Sequence, residues 1–440
     1  MTAIERFASF IAQPRPVPDA VREAVRLHVI DTIGALVAGT RTAEGRALLR
    51  FRTQAGATGL PRDLMTLTAL ARLTEIDDIH LASMTTPGAI VIPGALAMAA
   101  AQPRHDADAL IEAIVAGYEA MIRLGLALDG PTLLYRGIWP SYFAAPFGIA
   151  AAASRLLRLD AGQTANALAL ALTYAAPGVG HHNASTTARW LAVGQAARNG
   201  LAAAQAAQAG FTADIALLDG GFFPGVYAIT PNVAAFFDRL GERAALLDLS
   251  FKPWCAARQT MAATQALKEI VAGGIAADGI AAVKAAVVPP HRKMIDHGVT
   301  PGDRASYLTS VQYTMAAAVL APQLADALSP APEAVPDAVH ALMAKIAVEP
   351  DDALLADYPR TWPAHVVVTT ASGIREKRVT AVPGDPARPF GADEVTAKFR
   401  RFATPVVGEE RAKLLLAAAS AVVTGDQSPA DLLNEILSIP

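Results

Sequence analysis

Long stretches with helical periodicity constrain this chain more than any other feature of its sequence. Between Pro18 and about Ser250, apolar residues recur every three or four positions, as in DAVREAVRLHVIDTIGALVAGT (19–40) and WLAVGQAARNGLAAAQAAQAG (190–210). This spacing places the apolar side chains on one face of an α-helix. Alanine and glycine dominate the apolar residues, and such small side chains let helices approach one another closely. We therefore expect a tightly packed helical body with a large subunit interface.

The pattern changes after Lys252, where short β-branched stretches replace the long periodic ones. IAAVKAAVVPP (280–290) and KIAVEP (345–350) have the length and composition of strands. HVVVTTASGIREKRVTAV (365–382) predicts a hairpin that turns at Ser372 and Gly373. A Pro/Gly linker, GDPARPFG, follows, and helical periodicity then returns.

These two sequence patterns, helical periodicity and short β-branched stretches, predict a mainly α protein with an α+β part. We expect a large all-helical domain formed by residues 1–250 and 391–440. The α+β part, residues 251–390, is expected to form a smaller lid domain inserted between the two helical segments.

Composition argues against several classes of protein and partner. The 440 residues are 53% hydrophobic and 18% charged, which excludes intrinsic disorder. A net charge of −3 without a Lys/Arg block argues against nucleic acid as a partner. The single cysteine, Cys255, excludes an intramolecular disulfide and a multi-cysteine metal site. No apolar run approaches the ~20 residues that span a bilayer, and no signal peptide is visible, so we expect a cytoplasmic protein with no membrane partner.

The stretch TEIDDIHLASMTTPGAIVIPG (74–94) sets Glu75, Asp77, Asp78 and His80 beside small and apolar residues. On a helix, Asp77 and His80 would share one face. No further ligand stands at a diagnostic spacing nearby, so no metal is expected. The remaining interpretations are a general acid or base facing a pocket, or helix-capping carboxylates beside a histidine that only packs.

Other polar clusters suggest a site for an anion. PGVGHHNASTTARW (177–190) is a polar island between two apolar helices, and FKPWCAARQT (251–260) lies where the texture changes. Neither the glycines of PGVGHHNASTTARW nor the run GGFFPG (220–225) follows a predicted strand, so a nucleotide loop is not expected. Cations from these segments could bind a small di- or tricarboxylate, although each alone could equally be solvated. The cations concerned are Lys252 or Arg258 together with Arg189. His181 and His182 of the polar island could line the same pocket, and His291 stands just after a predicted strand.

Taken in order, seven segments resemble the MmgE/PrpD family along nearly the whole chain. They are VIDTIGALVAGT, EIDDIHLASMTTPGAIVIPGALAMAA, GIWPSYFAAPFGIAAAASRLLRLDAGQTANALALA, AVGQAARNGLAAAQAAQAGFTA, FKPWCAA, SYLTSVQYTMAAAVL and GDPARPFGADEVTAKFRRFA. The resemblance implies a helical domain with an α+β lid, a homodimer, and a cofactor-free site in the cleft between the domains. It also implies proton transfer at carbon next to a carboxylate, as in 2-methylcitrate dehydration, cis-aconitate decarboxylation and iminodisuccinate epimerisation.

The chain departs from the family pattern at three positions. Thr86 and Trp139 stand where the resemblance predicts histidines, and Arg189 stands where it predicts a lysine. Dehydrating a tertiary alcohol requires an acid for the hydroxyl and a base for the α-proton, and Trp139 can be neither. We therefore expect a specificity altered from methylcitrate.

The preferred interpretation is a cofactor-independent lyase or isomerase acting by proton transfer next to a carboxylate of a small organic acid. The alternative is a catalytically inactive relative that binds a metabolite or serves as a subunit partner. No cofactor and no metal are expected. The residues expected to act in catalysis are Asp77, Asp78, His80, His181, Lys252 and Tyr313. Those expected to bind substrate are Thr86, Trp139, Ser141, His182, Arg189, Arg258 and His291.

Overall fold

Helices dominate the part of the chain before residue 250. The computed structural model of the protein describes residues 1–54, 59–175, 186–324, 326 and 335–439. Within these ranges the helices before residue 250 are α1 (Ala3–Ala12), α2 (Asp19–Thr40), α3 (Ala43–Gln54), α4 (Leu60–Arg72), α5 (Gly88–Ala100), α6 (Ala107–Ala127), α7 (Gly130–Tyr135), α8 (Pro140–Leu156), α9 (Ala161–Thr173), α10 (Ala188–Gln208), α11 (Phe222–Tyr227) and α12 (Val233–Phe237).

The small residues of α10 allow it to pack against three other helices, α4, α8 and α9. At Gly194, a Cβ atom would overlap the backbone carbonyl of Met65 in α4, so only glycine permits this approach. The expectation of close helix packing is confirmed here. The same packing holds the start of α10, which carries Arg189, against the end of α4.

A four-stranded sheet forms the core of the region after residue 250. Its strands are β1 (Ile280–Val287), β2 (Ile346–Pro350), β3 (Ala364–Thr370) and β4 (Gly373–Val379), in the order β2-β1-β3-β4. β1 runs parallel to β2 and antiparallel to β3, and β3 and β4 form the predicted hairpin, with Thr370 paired to Gly373. The three predicted strand regions are confirmed. The helices of this region are α13 (Arg258–Ala272), α14 (Pro289–Ile295), α15 (Arg304–Thr309), α16 (Val311–Leu320) and α17 (Asp337–Met343).

The chain returns to the helical body at its C-terminal end through α18 (Ala392–Val407), α19 (Glu409–Ala421) and α20 (Pro429–Leu437). α18 packs along α2, and the Nζ atom of Lys398 lies 2.6 Å from the carboxylate of Asp31. The predicted fold class, mainly α with an α+β part, is confirmed. Within the described ranges, no helix is both long enough and apolar enough to cross a membrane.

Backbone hydrogen bonds hold together the two ends of the lid region, as we call residues 251–390. Ile79 and Ser250 exchange two of them, with N···O distances of 2.9 and 2.8 Å. The next residue, Phe251, donates its N–H to the carbonyl of Gly384 at 2.9 Å. This junction places Lys252 beside the acidic segment of residues 74–80.

Candidate functional site

The acidic segment turns sharply after α4 instead of continuing as a helix. α4 ends at Arg72, and Glu75 has a φ of 55°, in the left-handed region that non-glycine residues rarely adopt. The expectation that Asp77 and His80 share a helix face is therefore wrong. Backbone strain of this kind persists only where surrounding contacts impose it, and at Glu75 those contacts are ion pairs.

Four buried charged side chains form the centre of the site. The Nη1 atom of Arg72 lies 2.6 and 2.7 Å from the two carboxylate oxygens of Asp77, and its Nη2 donates to Glu75 at 2.9 Å. From the junction, the Nζ of Lys252 donates to Glu75 at 2.8 Å and to Asp77 at 3.4 Å. The two carboxylates thus bridge a cation from the helical body and a cation from the lid region.

The surrounding charges keep Glu75 ionised. Burial alone would raise the pKa of this carboxyl, but the attraction of Arg72, Lys252 and Arg189 outweighs burial and holds its pKa below the ordinary value. Glu75 is therefore an ionised carboxylate. It accepts a hydrogen bond from the ammonium group of Lys252 at 2.8 Å.

A cavity of about 50 Å³ opens beside this cluster, between the helical body and the lid region. Both parts of the chain contribute charged, hydroxyl and apolar side chains to its wall. From the helical body these are Arg72, Glu75, Thr86, Trp139, Ser141 and Arg189, and from the lid region Lys252, Arg258, Met294 and Trp362.

Arg189 and Arg258 in this wall have hydrogen-bond donors without partners among the described residues, as does the Nε of Arg72, whose other nitrogens bind Glu75 and Asp77. Arg258 donates through Nη2 to Asp385 at 2.6 Å, while its buried Nε and Nη1 make no hydrogen bond. The buried Nε of Arg189 is also unpaired, and its Nη2 lies 3.8 Å from Glu75. Leaving a buried charged donor unsatisfied is costly, so an anion in the cavity would be stabilised by both side chains.

The charges around the cavity favour an anion as well. Four cationic side chains face three carboxylates, which leaves an excess of one positive charge when all are ionised. The cations are Arg72, Arg189, Lys252 and Arg258, and the carboxylates are Glu75, Asp77 and Asp385. A small carboxylate would balance this charge.

Thr86 and Ser141 form a hydroxyl pair in the cavity wall. Both the backbone N–H and the hydroxyl of Thr86 donate to the Oγ of Ser141, each at 3.0 Å. Because Ser141 accepts twice, its own hydroxyl hydrogen is left to donate elsewhere. Next to it, Trp139 adds an apolar surface whose ring lies 5.1 Å from the guanidinium carbon of Arg189.

Asp78 is buried outside the cavity wall and anchors the start of α5. Its carboxylate accepts from the N–H of Gly88 and the hydroxyl of Tyr118, each at 2.8 Å, and lies 2.8 Å from the Nδ1 of His28. A Cβ atom at position 88 would collide with this carboxylate, so the residue there must be glycine. Through these contacts Asp78 fixes the position of the turn that carries Asp77.

His80 also lies outside the cavity wall. Its Nδ1 accepts the backbone N–H of Ser83 at 3.2 Å and lies 2.9 Å from that residue's hydroxyl. Burial lowers the pKa of His80 to about 4, although the charge of Asp248 opposes this. The two histidines of the polar island, His181 and His182, lie outside the described residues.

His291 and Tyr313 pack against aromatic rings near the site without lining the cavity. The His291 ring meets that of Trp362 edge-on, with 4.9 Å between centroids, and Tyr313 meets Tyr307 in the same way at 5.0 Å. Burial, helped by the positive charge of Arg258, lowers the pKa of His291 to about 3. Burial raises the pKa of Tyr313 to about 12.

The buried histidines His80 and His291 predict a loss of stability in mild acid. Unfolded histidine takes up a proton near its ordinary pKa of 6.5, whereas the folded protein resists protonation of His80 and His291 down to about pH 4 and 3. Because the unfolded state binds more protons in this window, the free energy of unfolding falls as pH drops below 6.5. We expect each histidine to contribute roughly 2 kcal/mol to the loss between pH 7 and 4.5.

Urea denaturation of the His291→Phe variant at pH 7 and 4.5 measures this effect. The phenyl ring keeps the aromatic packing and cannot be protonated, so the variant should lose about 2 kcal/mol less than the wild-type protein over this range. The exposed His340 offers a control, since His340→Gln should leave the pH dependence unchanged. Equal losses in wild type and His291→Phe would contradict the prediction.

Sequence reasoning did not single out Arg72 or Trp362. Arg72 is the last residue of α4, follows the apolar run LTALA, and stands three positions before Glu75. An arginine at the end of a buried helix requires a buried partner. The nearby carboxylates could therefore have indicated that Arg72 belongs to the site. Trp362 gave no signal, because it reaches the cavity only through the folding of the lid region.

Comparison with known proteins finds two family models that match the chain one after the other. The family model described as the MmgE/PrpD N-terminal domain matches residues 5–231, and the MmgE/PrpD C-terminal domain matches residues 254–422. A cis-aconitate decarboxylase-like protein of Aspergillus oryzae (strain ATCC 42149 / RIB 40) is 34% identical over 109 residues, a stretch that covers 23% of this chain and 22% of that protein. The two domain matches together span most of the chain, which belongs to the MmgE/PrpD family.

Proposed function

We propose that this protein is a cofactor-independent lyase or isomerase that transfers a proton at a carbon next to a carboxylate of a small organic acid. One observation carries the proposal: the unpaired buried guanidinium donors of Arg189 and Arg258 line the same small cavity as the Lys252–Glu75 pair. An anion-binding group and a proton-transfer group thus lie within reach of one small molecule.

Binding is assigned to the two arginines. Arg258 keeps two unpaired donors, Nε and Nη1, each of which can donate one hydrogen bond to a carboxylate oxygen, and the Nε of Arg189 offers a further donor. Stacking between Trp139 and Trp190, at 5.1 and 4.1 Å, holds the guanidinium of Arg189 in one orientation. The excess positive charge of the cavity adds a general preference for anions.

Proton transfer is assigned to Lys252, with Glu75 as its partner. Removing a proton next to a carboxylate develops negative charge on the substrate's oxygens, which nearby cations stabilise. The hydroxyl of Ser141 is placed to donate a hydrogen bond to such an oxygen or to a leaving group. Asp77 and Arg72 hold Glu75 in its left-handed conformation, and Asp78 holds the turn from behind, so these residues have positioning roles in this proposal.

Specificity is assigned to Thr86 and Trp139. Neither side chain is an acid or base near neutral pH, and the indole ring makes this wall apolar. A substrate with fewer charged groups than methylcitrate would fit such a wall better.

The volume of the cavity supports treating residues 251–390 as a lid. Pockets for small molecules usually enclose at least ~300 Å³, whereas this cavity measures about 50 Å³. An organic acid can enter only if part of the wall moves. Met294 and Trp362 come from the lid region, so its displacement would widen the cavity while α4 and α5 stay in place.

Hydrogen–deuterium exchange tests the proposal even when the product of the reaction is not identified. The protein is incubated in D₂O with citrate, 2-methylcitrate, cis-aconitate, itaconate, mesaconate and iminodisuccinate, and proton NMR records loss of signals from carbons next to a carboxylate. We expect enzyme-dependent exchange into at least one acid, and its loss in the Arg258→Leu variant. Arg292, which is exposed and pairs with Asp296, provides the control, since Arg292→Leu should exchange normally.

Two other outcomes have definite meanings. Saturable binding of an acid without exchange would favour the catalytically inactive relative, which the replacement of two expected histidines by Thr86 and Trp139 makes the second candidate. The absence of both binding and exchange across the panel would contradict the assignment of the cavity to organic acids. The homodimer stays a prediction, which light scattering of the purified protein would test.

A further inference from the structure

A second cavity lies on the other side of Trp190, between α3, α10 and α15. Its volume is about 420 Å³, within the range usual for small-molecule sites. The residues lining it differ from those lining the first cavity. They include Glu44, Leu48 and Phe51 from α3, Trp190 and Leu191 from α10, and Arg304 from α15.

Arg304 is a buried cation with an unused donor in the wall of this cavity. Its side chain is 8% exposed, and its Nε lies 3.3 Å from the carboxylate of Glu44. The buried Nη2 makes no hydrogen bond to any residue that the structure describes. An arginine held this way, facing a cavity, can bind an anionic group without first breaking another contact.

The rest of the wall is apolar and partly open. Phe51 is 40% and Leu191 42% exposed, unusual values for large apolar side chains, and the ring of Trp190 lies 5.5 Å from the guanidinium carbon of Arg304. Covering such side chains is favourable by roughly 25 cal/mol per Å² of apolar area. A ligand that covers them and reaches Arg304 needs an apolar body and an anionic end.

We propose that the cavity between α3, α10 and α15 is a second binding site, and that it takes a small amphipathic carboxylate. The carboxylate accepts from the Nη2 of Arg304, and the hydrocarbon part lies against Phe51, Trp190 and Leu191. This site is distinct from the proposed organic-acid cavity, and its existence does not depend on that proposal.

The two sites are joined by a stack of alternating rings and guanidinium groups. Trp139, Arg189, Trp190 and Arg304 follow one another, with distances of 5.1, 4.1 and 5.5 Å from guanidinium carbon to ring centroid. An anion on Arg304 adds a negative charge on the far side of Trp190 from the first cavity. Since like charges repel across a buried, weakly screened path, each anion should weaken the binding of the other.

Calorimetric titration with three probes tests the second site. Hexanoate has both the charge and the apolar body, acetate has only the charge, and hexan-1-ol has only the apolar body. We expect hexanoate to bind more tightly than either partial probe. In the Arg304→Leu variant its affinity should fall at least about tenfold, in line with losing one charge-assisted hydrogen bond.

Further variants locate the binding. Leu191→Asn, which keeps Arg304, should also weaken hexanoate binding, whereas Arg258→Leu, which removes a more distant positive charge in the first cavity, should lower the affinity much less than Arg304→Leu does. Binding that survives both Arg304→Leu and Leu191→Asn, or that disappears only in Arg258→Leu, would overturn the proposal. Circular dichroism melting of each variant establishes folding, and Arg304→Lys, which keeps the charge, serves if Arg304→Leu does not fold.

Discussion

Replacing Lys252 with methionine is expected to lower the rate of substrate proton exchange by about 10²–10⁴-fold, the usual contribution of a general acid or base. Methionine fills a similar volume but cannot carry a proton to or from the substrate. The change also removes one of the three cations that keep Glu75 ionised. The measurement is the initial rate of deuterium incorporation by NMR, at saturating concentration of the acid that the wild-type protein exchanges.

Two companion variants separate proton transfer from charge. Lys252→Arg retains the positive charge beside Glu75 but not a readily transferable proton, so it should bind the acid and exchange it slowly. The matched control is Lys284→Met, because Lys284 is an exposed lysine whose partner is Glu349, and it should exchange at the normal rate. A Lys252→Met protein that is folded and exchanges within threefold of wild type would remove Lys252 from the proton path.

Replacing Lys398 with methionine is expected to reduce the free energy of unfolding by about 3–5 kcal/mol, as for other buried ion pairs that lose one partner. The ammonium of Lys398 lies 2.6 Å from the carboxylate of Asp31 and donates to the carbonyl of Ile76, also at 2.6 Å. Without it, a buried carboxylate on α2 has lost its counter-charge. The same change frees the backbone between Glu75 and Asp77. Urea denaturation at pH 7 measures the stability, and the exchange assay measures the effect on the site.

Removing the carboxylate of Asp31 as well should restore part of the lost free energy of unfolding. The double variant Lys398→Met, Asp31→Leu has no unpaired charge at this position and should be more stable than Lys398→Met alone. Lys413 provides the surface control, because its pairs with Glu409 and Glu410 are exposed and worth about 0–1 kcal/mol. If Lys398→Met and Lys413→Met destabilise the protein equally, Lys398 does not hold the acidic segment.

Most of the secondary structure could be predicted from the sequence because its signals are local. The helical segment recognised at 19–40 is α2 (Asp19–Thr40), and the predicted hairpin turns where Thr370 meets Gly373. In both cases the pattern of apolar residues and the turn chemistry agree with the final packing.

The site could be predicted only in part, for physical reasons. The sequence and the family resemblance pointed to Arg189, Lys252 and Arg258, since buried cations near polar segments suggest an anion. They could not show that Glu75 takes a left-handed conformation, because that conformation depends on Arg72 and on a lysine 177 residues further along the chain. The burial of His80 could not be predicted from the sequence either. It follows from tertiary packing around the turn after α4, which the local spacing of apolar residues does not describe.

If residues 251–390 act as the proposed lid, the backbone hydrogen bonds between Ile79 and Ser250, and between Phe251 and Gly384, mark the line about which they would turn. A lid region that rotated about this line would move Met294 and Trp362, but would leave Lys252 and the Arg258–Asp385 pair, next to the axis, almost where they are. The proton-transfer pair and the cations would then be in place before substrate arrives, while the cavity is enclosed only on closure. In such an enzyme, substrate capture and product release follow the rate of the hinge rather than the intrinsic speed of the chemical step.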